Sequence, residues 1–316
     1  MTPVTVRVPA KVNLQLSVGP LGADGYHDLV TVFHAVSLFD EVTVSSDSET
    51  SVSATGVDAD SVPDGRANLA VRAVHALAAA RELRPDDAAV RIEISKRIPV
   101  AAGLAGGSAD AAATLVACNE LWRAGLNQAE LQAVAAGLGS DVPFALVGAT
   151  AVGQGRGERL TAALTSGTYH WVLAFAAGGL STPEVYATCD RLRAAQNGGA
   201  ANGTPSGTLA PALNTELMAA LRSGDPAGVG PLLSNDLQPA ALSLRPDLRR
   251  TLAAGREHGA LGAIISGSGP TCMFLAADAR RAGDLAVSLT GAGVCRSVAQ
   301  VQGPATGAAL VTAERG

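Results

Sequence analysis

Apolar and polar residues alternate along the first part of the chain. In the stretch VTVRVPAKVNLQLSV, residues 4–18, every second position is apolar both before and after Pro9. This period of two predicts a half-buried β-strand with a break at the proline. Lys11, Asn13 and Gln15 share the opposite face, because side chains two positions apart on a strand point the same way. That face predicts a small polar site.

Further periodic segments predict a chain that mixes strands with helices. Segments 39–46, 88–99 and 169–177 predict strands, and segment 66–82 predicts a helix that begins near Asn68. Further helices are predicted over 127–139, 183–195 and 244–259, and further strands over 261–266 and 272–277. At 316 residues the chain is long for one domain, so we expect two domains, 1–155 and 156–316.

The central helix, which follows a glycine-rich turn, has apolar residues at helical spacing. Leu115, Cys118 and Trp122 recur on one face, and Thr114 and Asn119 lie elsewhere, which predicts an amphipathic helix. Farther on, residues 196–208 are rich in glycine, asparagine and proline and predict a mobile surface loop.

Composition narrows the class of protein. Hydrophobic residues make up 47% and charged residues 16%, which is typical of a well-packed enzyme. The net charge of −5 argues against a nucleic-acid-binding protein, so an anionic substrate must be held by local donors. No apolar run is long enough to span a bilayer, and we expect no membrane partner.

The rarest charged residue is lysine. Of 23 basic residues, two are lysines, Lys11 and Lys96. In a chain that otherwise uses arginine, these two positions indicate sites that need a compact ammonium group. The four cysteines are far apart and lack zinc-ligand spacing, so we expect free thiols and a cytoplasmic protein with no secretory leader.

A glycine-rich turn stands immediately before the central helix, in PVAAGLAGGSADAA, residues 99–112. Gly103, Gly106 and Gly107 let backbone N–H groups approach a ligand, and a helix N-terminus favours phosphate. The alternative is a tight turn capped by Ser108. The stretch is not a P-loop, because it lacks the pattern G-x-x-x-x-G-K-S/T. It is not a dinucleotide-binding fingerprint either, because it lacks G-x-G-x-x-G with an acidic residue at the usual distance. A second glycine cluster, SGSGPT at 266–271, predicts either a β-turn or a wall beside the first.

Taken together, PAKVNLQL at 9–16, PVAAGLAGGSADAA at 99–112 and SGSGPT at 266–271 resemble the three motifs of the GHMP small-molecule kinases, in the same order. The resemblance implies an α+β architecture with an N-terminal domain like ribosomal protein S5 domain 2 and a ferredoxin-like C-terminal domain. It also implies that ATP binds with Mg²⁺ in the cleft between them. The residues it assigns to ATP are Asn68, Lys96, Pro99, Ala102, Gly103, Leu104, Ala105, Gly106, Gly107 and Ser108.

The stretch GADGYHDLVTVFHAVSLFDEV, residues 22–42, resembles the members of this family that phosphorylate the 2-hydroxyl of 4-diphosphocytidyl-2-C-methyl-D-erythritol. The resemblance places Tyr26 and His27 in a cytidine pocket, with Tyr186 as a second aromatic ring on the cytosine. An aromatic face stacks on a pyrimidine, and a histidine offers a donor and an acceptor to its edge. By the residues alone, an exposed turn at 24–27 and an ordinary helix tyrosine at 186 are the alternatives.

The stretch LGSDVPFAL, residues 138–146, contains the carboxylate that the resemblance makes catalytic. Asp141 lies beside Pro143 and Phe144, so it is partly removed from water, which suits proton acceptance. Helix capping is the alternative role. The resemblance pairs Asp141 with Lys11 in direct in-line phosphoryl transfer. It further assigns the substrate to Asn13, Ser268 and Gly269 as well as the cytidine pocket.

Two positions depart from the family's usual pattern. Ala105 stands where glycine is frequent and Ala109 where serine is frequent, so no metal ligand is assigned. Two other functions remain open: a GHMP kinase for homoserine or mevalonate, and a sensor that binds ATP without transferring phosphate. The retention of Lys11 with Asp141 argues against the sensor. We expect a monomer or a weak dimer.

Overall fold

The computed structural model describes residues 2–84, 87–197 and 210–311. Their strands are β1 (Val4–Leu21), β2 (His27–Ser46), β3 (Ser51–Gly56), β4 (Val90–Lys96), β5 (Thr150–Gly155), β6 (Arg159–Ala162), β7 (Tyr169–Phe175), β8 (Ser234–Asn235), β9 (Gly262–Ile265), β10 (Cys272–Ala276), β11 (Ser297–Gly303) and β12 (Ala309–Leu310). Their helices are α1 (Leu69–Ala80), α2 (Gly106–Leu121), α3 (Gln128–Ala136), α4 (Val142–Val147), α5 (Thr182–Asn197), α6 (Thr215–Ser223), α7 (Pro226–Val229), α8 (Gln238–Leu244), α9 (Leu248–Glu257) and α10 (Ala279–Gly291).

The described residues form two separate sheets. The first has the path β12-β1-β2-β4-β3, with β5 and β8 added to β2 and β1 and with β6 paired to β5. The second is the antiparallel sheet β11-β7-β10-β9. Helices α1 and α2 lie against the first sheet, and α9 and α10 lie against the second. The predicted α+β class is therefore confirmed.

The long hairpin of β1 and β2 carries the alternation predicted from the first residues. Pro9 does not end the strand as predicted. Instead, β1 runs through it, and the pairing with β2 shifts by a bulge between Pro9 and Ala10. A bulge absorbs the missing backbone N–H and lets the strand continue, and the pairing with β2 shifts again between Asn13 and Gln15. Lys11, Asn13 and Gln15 consequently stay in one continuous strand.

Helix α2 differs from its prediction. It is not amphipathic, because Thr114 on the face predicted to be polar is as fully buried as Leu115 and Cys118. The run of alanines makes the helix narrow enough to pack on all sides, since alanine adds little volume beyond the backbone. Thr114 satisfies its hydroxyl by donating to the Asp110 carbonyl oxygen at 2.8 Å. The helix that carries the glycine-rich turn is thus a central core element.

The other predicted segments form the expected elements with local differences, whereas β3, β5, β6, β11 and α6 were not predicted from the sequence. The predicted helix over 244–259 is split, because α8 ends at Leu244 and α9 begins at Leu248, with Pro246 between them. The domain division at residues 155 and 156 stays a prediction; the first sheet continues through β6 and also includes β8 and β12 from the C-terminal half. Most of the predicted loop at 196–208 lies outside the described residues.

A buried ion triad joins β2, β4 and α2. The Lys96 ammonium donates to Oδ2 of Asp40 and to Oδ2 of Asp110, the latter at 2.7 Å. Asp40 Oδ1 accepts the backbone N–H groups of Arg97 at 2.6 Å and Ile98 at 2.8 Å. Burial lowers the pKa of Lys96, but the two carboxylates outweigh it and raise the pKa above its usual value. Burial and the charge of Asp40 raise the pKa of Asp110. The triad fixes the first turns of α2 to the sheet.

Replacing the central cation tests this role. Lys96→Met leaves two carboxylates buried without a counter-charge, so we expect it to lower the free energy of unfolding by about 3–5 kcal/mol. Urea denaturation of the wild type and the variant measures the change. Asp110→Asn is the matched control: it keeps the pair of Lys96 with Asp40 and should cost less. Equal stability of Lys96→Met and the wild type would contradict the triad as a structural tie.

Candidate functional site

The three motif segments of the sequence, 9–16, 99–112 and 266–271, meet at one point. Gly267 has a φ of +55°, and a Cβ there would lie 3.1 Å from the carbonyl oxygen of Gly103 and 3.3 Å from both Lys11 Nζ and Asn13 Oδ1. The Lys11 backbone N–H also donates to the carbonyl oxygen of Leu104 at 3.3 Å. A glycine at 267 is therefore required for this approach, and the approach joins all three segments into one site.

The second and third segments are tied directly to each other. Gly103 has a φ of +78°, and a side chain there would overlap the carbonyl oxygen of Ser266. The Ser266 hydroxyl donates to the Gly103 carbonyl oxygen at 3.2 Å, and the Thr271 N–H donates to the Ala102 carbonyl oxygen at 3.4 Å. Segment 266–271 thus contains the predicted β-turn, in which the Gly269 N–H donates to the Ser266 carbonyl oxygen at 2.9 Å, and it also packs as a wall on the glycine-rich turn.

A lysine and a carboxylate face each other at this junction. Lys11 Nζ lies 3.7 Å from Asp141 Oδ2, with side chains 9% and 28% exposed. The ammonium donates to Asn13 Oδ1 at 2.8 Å, and Asn13 Nδ2 donates to Thr31 Oγ1 at 2.8 Å. Thr31 in turn donates to the carbonyl oxygen of Gln15 at 2.7 Å. This chain of hydrogen bonds holds Lys11 in one position and leaves the Asp141 carboxylate partly open to a ligand.

Asp141 stands at the start of α4 but does not cap it. Its side chain makes no capping hydrogen bond, and Pro143 occupies the first turn of the helix. A proline removes one of the N–H groups that a capping carboxylate would accept. The predicted alternative role of a helix cap is therefore wrong, and the carboxylate is directed to Lys11 instead.

The N-terminus of α2 has no side-chain cap. Ser108 is the third residue of the helix and not its cap, and the residue before the helix, Ala105, provides no capping bond. By helix geometry the first-turn N–H groups, those of Gly106, Gly107 and Ser108, have no partner within the helix. Ala105 has a φ of +57°, a conformation that favours glycine, so the departure at this position stores backbone strain.

Two residues that were predicted to contact ATP, Asn68 and Lys96, form hydrogen bonds within the protein. The Asn68 side chain accepts the Ala70 N–H at 2.8 Å as the cap of α1 and donates to the Pro63 carbonyl oxygen at 2.8 Å. Lys96 is buried in the triad, and its ammonium lies 3.2 Å from where a Cβ on Gly106 would be. The Lys96 ammonium uses two of its three N–H groups on Asp40 and Asp110. It supports the turn from beneath, and its contact with ATP stays a prediction.

A cavity of about 180 Å³ adjoins the glycine-rich turn. Among its lining residues are Pro99, Ala102, Phe175, Thr271 and Arg296. The Thr271 hydroxyl is buried and has no hydrogen-bond partner among the described residues. The cavity is smaller than a typical pocket for a whole drug-sized ligand, so it suits one end of a nucleotide.

An aromatic and polar cluster lies at the other end of the site. The rings of His27 and Tyr186 are 5.1 Å apart and tilted by 32°. His27 Nδ1 is 2.9 Å from the Gly19 carbonyl oxygen, and Nε2 is 3.3 Å from Asp190 Oδ2. Burial raises the pKa of the Tyr186 hydroxyl above its usual value. Both ring nitrogens of His27 therefore lie next to protein oxygens, and the longer of the two contacts is that of Nε2 with Asp190.

Tyr26, Ser268 and Gly269 stand around this cluster. Tyr26 is 53% exposed, and the guanidinium of Arg156 lies 3.5 Å from its ring centroid. The hydroxyls of Ser268 and Thr182 are 2.9 Å apart. Gly269 has a φ of +82° and packs toward the interior side of its loop. The predicted pairing of Tyr26 with Tyr186 around a base stays a prediction, since Tyr26 has Arg156 on its face and Tyr186 has His27.

Several residues of the site were missed by the sequence reasoning. They are Thr31, Phe33, Arg156, Thr182, Asp190 and Gly267. Of these, two had a usable signal. Gly267 belongs to the quoted glycine cluster, and Arg156 belongs to the stretch GQGRG, residues 153–157, which predicts a turn or a loop close to substrate. The others are ordinary residue types whose sequence neighbours give no indication of the side chains they meet.

No group of three histidine, cysteine or acidic side chains lies close enough to hold a metal ion in the described ranges. All four cysteines are free thiols, as predicted. Across residues 2–84, 87–197 and 210–311, no helix combines the length and the apolar character that crossing a bilayer requires.

Comparison with known proteins assigns a family to this architecture. The model of the GHMP kinases N terminal domain matches residues 68–149, and that of the GHMP kinases C terminal domain matches residues 217–295. A 4-diphosphocytidyl-2-C-methyl-D-erythritol kinase of Mycolicibacterium gilvum (strain PYR-GCK) is 56% identical over 98% of this chain and 93% of its own length. One from Mycolicibacterium smegmatis (strain ATCC 700084 / mc(2)155) is 57% identical, with the same coverage.

A solved structure agrees with these relatives. The crystal structure of a 4-(cytidine 5'-diphospho)-2C-methyl-D-erythritol kinase superposes with a TM-score of 0.72 and 33% identity, covering 94% of this chain and 98% of that one. The chain therefore belongs to the GHMP kinase family, within the group named 4-diphosphocytidyl-2-C-methyl-D-erythritol kinase.

Proposed function

We propose that this protein transfers the γ-phosphoryl group of ATP to the 2-hydroxyl of 4-diphosphocytidyl-2-C-methyl-D-erythritol, giving the 2-phosphate, a step of the non-mevalonate route to isoprenoids. The observation that carries the proposal is the facing pair of Lys11 and Asp141, whose Nζ and Oδ2 atoms are 3.7 Å apart. The pair lies where the segments 9–16, 99–112 and 266–271 meet. Relatives of 56% and 57% identity over nearly the whole chain carry that kinase name. The pair supports an enzyme over a sensor, since binding alone needs no buried lysine against a carboxylate.

The glycine-rich turn and the N-terminus of α2 receive the phosphates of ATP. Their suitability follows from the uncapped first turn, with N–H groups at Gly106, Gly107 and Ser108 and no side chains at the two glycines. Unpaired N–H groups at a helix N-terminus attract phosphate oxygens. The nucleoside end then extends toward the 180 Å³ cavity beside Pro99.

Mg²⁺ accompanies the nucleotide in this proposal. When bound, it neutralises charge on the phosphate oxygens. Because the described residues provide no three-residue cluster of metal ligands, phosphate oxygens and water supply most of its coordination, as is usual for this ion.

Asp141 and Lys11 act on the acceptor alcohol. Asp141 accepts the proton of the 2-hydroxyl while the oxygen of that hydroxyl bonds to the γ-phosphorus of ATP. The bond between the γ-phosphorus and the oxygen that bridges it to the β-phosphorus breaks, and ADP leaves. Lys11, which donates a hydrogen bond to Asn13, stabilises the negative charge on Asp141 and on the phosphoryl group during its transfer. Positioning and electrostatic stabilisation account for most of the catalysis in such transfers.

The cytosine end of the substrate is assigned to the aromatic cluster. Tyr186 provides an aromatic face, and Nε2 of His27, beside Asp190, provides the polar contact to the edge of the base. Tyr26, Ser268 and Gly269 line the same region as candidate contacts. We further propose that the protein works in the cytoplasm as a monomer or weak dimer and binds neither nucleic acid nor membranes.

The function is tested by ADP release from the purified protein with ATP, Mg²⁺ and 4-diphosphocytidyl-2-C-methyl-D-erythritol. We expect turnover with this substrate and none with homoserine or mevalonate, which lack a base for the aromatic cluster. Turnover with homoserine or mevalonate alone would replace the substrate and keep the kinase chemistry. ATP binding without turnover of any of the three would favour a sensor.

Asp141→Asn keeps the size of the side chain and removes the proton acceptor. We expect kcat to fall by about 10² or more, with KM for both substrates little changed, because the lost interaction belongs to the transition state. Steady-state kinetics measure this. Asp60→Asn, at an exposed acidic residue, is the control and should behave as wild type. Wild-type kcat in Asp141→Asn would exclude Asp141 as the base.

His27→Ala tests the base pocket. Losing one buried hydrogen bond to the cytosine should raise KM for the cytidylyl substrate about tenfold, with KM for ATP unchanged. His258→Ala, at an exposed histidine after α9, serves as the control. An unchanged KM for the cytidylyl substrate would remove His27 from the pocket.

A further inference from the structure

The tight turn between β5 and β6 touches the reacting end of the site. Gly157 in this turn has a φ of +108°, and a Cβ there would lie 3.3 Å from the Phe33 ring and 4.0 Å from Ser140 Cβ. Phe33 lies under the Lys11 ammonium, at 5.5 Å from its ring centroid, and Ser140 directly precedes Asp141. The turn therefore borders the Lys11 and Asp141 pair.

The same turn also reaches the base end. Arg156 extends across the face of Tyr26, with its guanidinium carbon 3.5 Å from the ring centroid. Its Nη2 donates to Asp24 Oδ2 at 3.0 Å. Tyr26 adjoins His27, the histidine of the aromatic cluster. A single turn of the chain thus contacts both ends of the site. Arg156 is the positively charged residue of this turn.

The chemistry of the proposed substrate requires a cation on this path. Its two phosphates join the cytidine to the acceptor alcohol, so a base bound at His27 and a hydroxyl bound at Asp141 leave the diphosphate between them. With a net charge of −5, the protein holds such a group through local donors. A guanidinium suits the role, because its planar fork binds two phosphate oxygens at once.

Other cations in this region have fixed partners. Lys11 lies with Asp141 and Asn13. Arg193 pairs with Asp236 at 3.1 Å and donates to the Gly19 carbonyl oxygen at 3.3 Å. The ion pair of Arg156 with Asp24 is exposed on both sides, with side chains 50% and 60% accessible. Exposed ion pairs contribute little stability, so Arg156 can exchange Asp24 for phosphate at small cost.

We infer that Arg156 is a substrate-binding residue that holds the diphosphate of the cytidylyl substrate while remaining stacked on Tyr26. The inference rests on the proposed function for the identity of the substrate. It assigns recognition of the diphosphate to the β5–β6 turn and separates it from recognition of the base by His27 and Tyr186.

The test compares two inhibitors that differ by the diphosphate. Cytidine and cytidine 5'-diphosphate are titrated against wild type, Arg156→Ala and Arg156→Lys, with Arg159→Ala as a control of equal charge on the same hairpin. In Arg156→Ala we expect the inhibition constant of cytidine 5'-diphosphate to rise at least tenfold and that of cytidine to stay within twofold. Arg156→Lys should keep part of the affinity for cytidine 5'-diphosphate that Arg156→Ala loses. Arg159→Ala should bind both inhibitors as the wild type does.

Kinetics with the full substrate complete the test. Arg156→Ala should raise KM for the cytidylyl substrate at least tenfold, with KM for ATP and kcat near wild type. If both inhibitors weaken equally, Arg156 only supports Tyr26, and the inference is wrong. It is also wrong if neither inhibitor is affected.

Failure of the inference and failure of the proposed function are separable. Wild-type turnover of the cytidylyl substrate tests the function without reference to Arg156. An inactive wild type in which Arg156→Ala still selectively weakens cytidine 5'-diphosphate would overturn the function and support the diphosphate site.

Discussion

The close approach of Gly267 to Gly103 and Lys11 is the constraint on which the rest of the site depends. These residues come from three distant parts of the chain, and they meet because neither glycine has a side chain and both have a positive φ. A methyl group at Gly103 would overlap the backbone of Ser266. The approach fixes the wall of the site and leaves Lys11 facing Asp141.

A second constraint comes from beneath the glycine-rich turn. The middle of helix α2, residues 109–115, is buried on every face, and the first turns of the helix are joined to the sheet through Lys96, Asp40 and Asp110. Two carboxylates around one ammonium make the triad sensitive to loss of the cation, because either acid alone would be an unpaired buried charge. Since the helix end is held from below, its N–H groups stay directed outward. Rigid placement of such dipoles is what makes electrostatic stabilisation effective.

The cluster to which we assign the cytosine is built differently. His27, Tyr186 and Asp190 are partly buried and contact each other, whereas Tyr26 and Arg156 are exposed and held by one stacking contact and one surface ion pair. Such contacts exchange readily with a ligand, because they contribute little to folding. The reacting end is thus fixed by buried hydrogen bonds, and the outer end is left adaptable.

Local sequence patterns predicted several of the elements and most of the residue types of the candidate site. The period-two pattern gave β1, and with it the shared face of Lys11 and Asn13, since local periodicity sets which side chains point together. Motif resemblance identified Gly103 and Asp141. Other features arise from tertiary contacts: β1 passes through Pro9 by a bulge, the middle of α2 is buried on every face, and Lys96 pairs with Asp40 and Asp110. These outcomes depend on contacts between residues far apart in the chain. Local propensity carries no information about such partners, so Arg156 and Gly267 acquired their positions only when the chain folded.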